Sequence, residues 1–192
     1  MAERIVCNAS PLIFLAKIDK LSLLDVYELH IPEQVEAEIL KGAKRKKQDA
    51  AKIAEYLHAG NILPVKVSLL RDLPHSLGSG ERAVISLAVK ERIHKVLIDE
   101  AKARTVARFK GLAPKGTLGV LWDAYKAGFI SKDATELLTF DLIQYGYRIK
   151  EELVVEFLKK LKHDVIERGL DDSKAGRTTD VREVRAKYGL RE

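Results

Sequence analysis

Short apolar runs alternate with segments of helical period through the first two-thirds of the chain. Residues 4–7 read as a buried strand, and Ser10-Pro11 then opens a helix. Ser10 is its expected N-cap, and Pro11 sits in the first turn, where a missing N–H costs nothing. A short helix over 21–27 leads into a second strand at 28–31. Pro32 starts the next helix, with Val35 and Ile39 four apart on one face. A helix over 49–59 ends at Gly60, in the place of a C′ glycine. Residues 62–67 are the third expected strand. After the 74–80 loop, 81–90 is helical, with Ala83, Leu87 and Ala88 on a shared face. A fourth strand, 96–98, precedes a helix reaching Phe109. Helices over 118–127, 133–144 and 150–163 complete the body. This βαβα rhythm predicts an α/β fold with a central, mostly parallel sheet flanked by helices.

Beyond residue 163 the pattern changes. A helix is expected to end at Gly169, and a polar stretch follows. A short amphipathic helix over 180–188 then carries Val181, Val184 and Tyr188 on one face and stops at Gly189. The organisation read from the chain is therefore a body, 1–163, and a short helical C-terminal extension, 164–192.

Composition narrows the class. With 192 residues, 46% hydrophobic and 32% charged, the chain has the make-up of a soluble globular protein with one core and a small appendage. No apolar run approaches a membrane span, and the first residues lack the basic-then-apolar shape of a signal peptide. Cys7 is the only cysteine, so neither an internal disulfide nor a zinc finger can form, and the expected compartment is a reducing cytosol. The net charge of +6 admits a polyanionic partner. Its distribution says where: residues 1–163 hold 27 basic and 21 acidic residues, while 164–192 hold 7 of each. The excess positive charge belongs to the body.

Four positions stand where an open α/β sheet gathers its chemistry, at or near the carboxyl ends of strands. Asn8 follows the first strand, Asp99 closes the fourth, Glu81 follows the loop Gly78-Ser79-Gly80, and Glu38 lies on the helix after Pro32. Glu38 is three residues from Val35 and seven from Ile31, which predicts a position nearer the buried side than Glu36. Each has an ordinary explanation taken singly: Asp99 as a helix cap, Glu81 as a first-turn acid facing the helix dipole, Glu38 as a solvated glutamate, Asn8 as a turn former. Three carboxylates and an amide gathered at one sheet end would form an acidic pocket suited to a divalent cation. Basic residues lie close in sequence. Lys44, Arg45 and Lys46 follow the Glu38 helix, and Lys102 and Arg104 follow Asp99; all are candidate contacts for a nucleic-acid backbone. Trp122 and Tyr125 sit on a strongly apolar helix and read as core.

The ordered segments Val6-Cys7-Asn8-Ala9-Ser10-Pro11-Leu12-Ile13, Ile31-Pro32-Glu33 through Glu38-Ile39, Gly80-Glu81-Arg82-Ala83, Leu97-Ile98-Asp99-Glu100, Lys115-Gly116-Thr117-Leu118 and Gly146-Tyr147-Arg148 together resemble the PIN-domain nucleases. This is the fold of VapC-like toxin ribonucleases, and the match is closest to a prokaryotic subgroup described as predicted nucleic-acid-binding PIN proteins. It spans about residues 4–160. The resemblance implies a PIN-like (Rossmann-like) fold and metal-dependent hydrolysis of RNA by an endoribonuclease, the toxin half of a toxin–antitoxin pair. Asn8, Glu38, Glu81 and Asp99 would hold Mg²⁺ or Mn²⁺, and Glu38, Glu81 and Asp99 would carry the chemistry. Glu81 would orient the attacking water, and Ser10 and Thr117 would donate hydrogen bonds to a ligating carboxylate or a phosphate. A homodimer is implied as well.

One residue departs from the pattern. Most PIN nucleases have aspartate where this chain has Asn8, which removes a charge from the pocket and weakens its hold on a hard cation. A second function class follows from that change: a PIN fold that binds RNA or a partner without cutting. The stretch Gly169-Leu170-Asp171 followed by Ala175-Gly176-Arg177 is similar to the end of small antitoxins. That likeness implies a remnant or mimic of an antitoxin whose Arg177 guards the site, in cis or across a dimer. The ordinary alternative is an extension that packs on the body or a neighbouring subunit. A separate cognate antitoxin is the partner the toxin resemblance implies. A phosphatase of the haloacid-dehalogenase kind needs a second aspartate two residues after the first strand's acid, which Asn8-Ala9-Ser10 does not supply.

Overall fold

The computed structural model describes residues 2–44, 48–60 and 62–174. It divides into two compact units, residues 1–148 and residues 149–192. The first unit contains β1 (Glu3–Cys7), α1 (Ala9–Lys17), a 3-10 turn (Leu21–Val26), β2 (Tyr27–His30), α2 (Glu33–Lys44) and α3 (Gln48–Ala59). It continues with α4 (Ser79–Lys90), β3 (Lys95–Leu97), α5 (Ala101–Phe109), β4 (Ala113–Lys115), α6 (Thr117–Lys126) and α7 (Lys132–Gln144). The second unit holds α8 (Glu151–Lys174).

All strand pairs are parallel and the order is β2-β1-β3-β4. Ile5, Val6 and Cys7 of the inner strand β1 are fully buried, as a strand covered on both faces requires. In register, Cys7 lies beside Leu97, and Leu97 beside Lys115. Three strands thus end level with one another, and the residues just after them, Asn8, Asp99 and Thr117, emerge on the same edge.

Two strand expectations change. The segment 62–67 makes only an isolated parallel bridge, Val65 opposite Pro32. Val65 N–H donates to Ile31 O at 2.8 Å, and Glu33 N–H donates to Val65 O at 3.1 Å. The ladder stops there because α2 begins at Glu33 and Pro64 has no N–H to give. The sheet gains instead a strand absent from the sequence reading, β4. Its Pro114 argues against a strand in sequence. At the sheet edge it is tolerated, since Ala113 N–H and Lys115 O make the bonds to β3's side and Pro114's nitrogen is not needed.

Two helix ends also differ. Asn8, not Ser10, is the N-cap residue of α1, and its side chain makes no capping bond. The chain passes from β1 into α1 without a loop, so Ser10 is already helical and its hydroxyl is free to point elsewhere. At the other end α8 runs to Lys174, through residue 163 and past Gly169. A single glycine lowers helix propensity by about 1 kcal/mol and does not by itself end a helix.

Candidate active site at the strand ends

Asp99 leaves β3 two residues beyond the last paired position. It does not cap the helix that follows it, because Glu100 does, accepting from Ala103 N–H at 2.8 Å. Asp99 is left to face the neighbouring strand end. Its Oδ1 accepts Thr117 N–H and the Tyr147 hydroxyl, each at 2.8 Å. Its Oδ2 accepts the Thr117 hydroxyl at 2.8 Å and the Ser10 hydroxyl at 3.1 Å. Four donors occupy roughly the four acceptor directions of an ionised carboxylate. Thr117 is fully buried and is the first residue of α6, so Asp99 also faces the positive end of that helix.

Gly116 makes this approach possible. A Cβ there would lie 3.0 Å from Asp99 Oδ1 and 3.4 Å from both Tyr147 Oη and Arg104 Nη1. The same numbers bring the Arg104 guanidinium to this corner, where its buried Nε has no hydrogen-bond partner among the described residues. Burial first, and the Asp99 carboxylate second, push the Tyr147 phenol far above its ordinary pKa, with Arg104 acting in the opposite sense. Tyr147 is therefore a hydrogen-bond donor at any ordinary pH. Burial, with Asp99 adding to it, also raises the Cys7 thiol well above its usual value.

The other acids gather at the start of α4. Glu81, the third helical residue, accepts Gly78 N–H through Oε2 at 2.9 Å, closing the first turn from within. Glu38 reaches across from α2 and accepts Gly80 N–H at 3.2 Å and the Ser79 hydroxyl at 3.4 Å. Gly80 permits this, since a Cβ there would lie 2.9 Å from both Glu38 carboxylate oxygens. The α4 dipole favours negative charge at this end. Glu38 is exposed and Glu36 half-buried, the reverse of the expectation from apolar spacing. What sets Glu38 apart is its partner, because Glu36 lines a separate cavity with Leu40 and His58.

A cavity of about 430 Å³ is lined by Asn8, Ser10, Glu38, Gly78 and Glu81, with Ile13 and Phe14 as its apolar wall. Asn8 is 6% exposed, and its Oδ1 is a buried acceptor with no partner among the described residues. An unpaired buried carbonyl oxygen beside two carboxylates is an arrangement that a cation or its water would complete. Asp99 does not line this cavity. Ser10 does, and links the two clusters through its hydroxyl. The four expected residues thus come together as three plus one. Among the described residues no three His, Cys, Asp or Glu side chains converge on one point as a ready-made metal site. The donor set fits one ion held in part through water, the habit of Mg²⁺.

The basic candidates separate. Arg104 is half-buried at the Asp99 corner, while Lys102 is exposed on α5. Lys44 is the last residue of α2. Arg45, Lys46 and Arg177 lie outside the described residues. Tyr125 is buried, as expected of core. Sequence reasoning placed Tyr147 in the family-like segment Gly146-Tyr147-Arg148 but gave it no role; the glycine before it, Gly146, has a φ of +87° that ends α7 and turns the chain inward.

A family model described as a PIN domain matches residues 4–163 of the chain. No curated protein and no solved structure matches significantly.

Proposed function

The chain belongs to the PIN-domain family, whose members are generally nucleases, and from that premise we propose that it is a metal-dependent endoribonuclease. The observation that carries the reading is the unpartnered, buried Oδ1 of Asn8, set in one cavity with Glu38 and Glu81. Asn8, Glu38 and Glu81, with Asp99 behind Ser10, would hold a Mg²⁺ or Mn²⁺ ion. When bound, a divalent cation supplies Lewis acidity toward a phosphodiester and acidifies water. The residues do the rest. Glu81 and Glu38, held by α4's amides, orient a water for in-line attack. Thr117 and Ser10 donate to Asp99, Thr117 keeping it aimed. Arg104 and Lys102, and the basic run Lys44-Arg45-Lys46, would grip flanking phosphates.

RNA as the polymer, the toxin half of a toxin–antitoxin pair, a homodimer and a cytoplasmic setting belong to this proposal. No helix among the described residues is long and apolar enough to cross a membrane. Residues 164–192, beyond the family match, are proposed as the extension whose Arg177 restrains the site, in place of or alongside a separate antitoxin.

A second reading has its own support. Asp99 has no acceptor direction to spare, and among the described residues no three carboxylates converge; a PIN fold that binds RNA without cutting it would look the same. Cleavage of a mixed-sequence single-stranded RNA by the full chain, with Mg²⁺, Mn²⁺ or EDTA, separates the two. Divalent-dependent cutting that disappears in Asp99→Asn supports the nuclease. RNA binding with no cutting under either ion supports the binder.

A further inference from the structure

The four donors on Asp99 differ in how easily they let go. Thr117 N–H belongs to the start of α6, and its direction is fixed by the helix. The Tyr147 hydroxyl ends a ring that is 8% exposed and packs edge-on against Phe14, with centroids 4.9 Å apart at 78°. These two rigid donors share Oδ1. Oδ2 takes two aliphatic hydroxyls instead, and their hydrogens rotate about the C–O bond. A hydroxyl that turns frees a lone pair, whereas a helix amide or a clamped phenol does not. The Ser10 bond is the longest of the four, and Ser10 is also the residue lining the cavity with Asn8, Glu38 and Glu81.

We propose that Tyr147 is a positioning residue that anchors Asp99 by Oδ1, so that Oδ2 is the oxygen offered to a divalent cation in the Asn8–Glu38–Glu81 cavity, with Ser10 as the donor that yields. The inference rests on the metal reading above and adds a residue and an orientation to it. Tyr147 need not touch the ion or the RNA. It acts through the carboxylate, which without it would keep the Thr117 N–H as its one rigid anchor on Oδ1.

The test is direct binding of Mn²⁺ to the full chain without RNA, read from the electron paramagnetic resonance of the free ion. Tyr147→Phe keeps the ring on Phe14 and removes only the donor; it weakens Mn²⁺ binding by about tenfold, the scale of a lost outer hydrogen bond at a metal site. Tyr56→Phe removes a comparable phenol–carboxylate bond, to Asp25 Oδ1 at 2.7 Å, and leaves the affinity unchanged. Wild-type affinity in folded Tyr147→Phe overturns the proposal, and so does an equal loss in Tyr56→Phe. Absence of Mn²⁺ binding by the wild type, or equal binding by Asp99→Asn, defeats the metal reading itself and this inference with it.

Discussion

The two acidic clusters of the site are held by opposite means. Asp99 is gripped by four donors from three separate elements and sits in a corner that only Gly116 leaves open. Glu38 and Glu81 lean on the first turn of one helix through longer or single bonds, and Glu38 is exposed. The first arrangement has little freedom and large consequences when disturbed. The second can rearrange at small cost, as the proposed role of accepting and releasing a hydrated ion requires. In the cavity of the second lies the Asn8 oxygen, unpartnered among the described residues.

The sharpest break in this contrast is Asp99→Asn. The amide loses the charge and turns its NH₂ toward groups that are themselves donors. Stability should fall by about 1.5–3 kcal/mol, lowering the melting temperature by roughly 3–12 °C for a chain of this size. A melting temperature equal to wild type would mean the four bonds contribute nothing. Next come the two glycines. Gly116→Ala drives a Cβ against a carboxylate that cannot retreat, and should cost about 1–3 kcal/mol. Gly80→Ala meets the far end of a flexible, exposed glutamate. Removing glycine from a helix's first turn returns about 0.5–1 kcal/mol, so the melting temperature should hold or rise while Mn²⁺ affinity falls. Equal destabilisation by both variants would erase the distinction between the clusters.

Asn8→Asp sharpens the comparison from the middle. A third charge in the cavity should tighten Mn²⁺ binding by about tenfold and destabilise the ion-free chain slightly, through repulsion with Glu38 and Glu81. Titration of both chains with Mn²⁺, and melting of both in EDTA, would check the two signs. Unchanged affinity would place the ion away from Asn8. The smallest effect concerns Cys7, which is fully buried and held protonated. A thiol reagent should label it only on unfolding, at a rate that follows denaturant.

Much of the architecture was legible from local pattern. The apolar run before Asn8, the Pro32 helix start, the glycine loop before Glu81 and the strand before Asp99 each depend on neighbours a few residues away, and each is found where the pattern put it. The misreadings share a cause. Residues 62–67 have strand-like composition but meet the sheet at one bridge, and the segment Ala113-Pro114-Lys115 has a strand-breaking residue that an edge excuses. Exposure of Glu38 and Glu36 followed which helix faced them, not the spacing of apolar residues on α2.

By itself the sequence determined the α/β class, the parallel sheet and the arrival of Asn8, Glu81 and Asp99 at the starts of helices, because caps and periodicity act over one or two turns. Only the tertiary structure decided what those residues meet. The bonds on Asp99 span 18, 48 and 89 residues of chain; whether Ser10 caps its own helix or reaches a distant carboxylate depends on strand register. The division of the acids into a clamped one and a yielding pair has the same origin. It arises from which helix end and which glycine the folded sheet brings opposite each carboxylate.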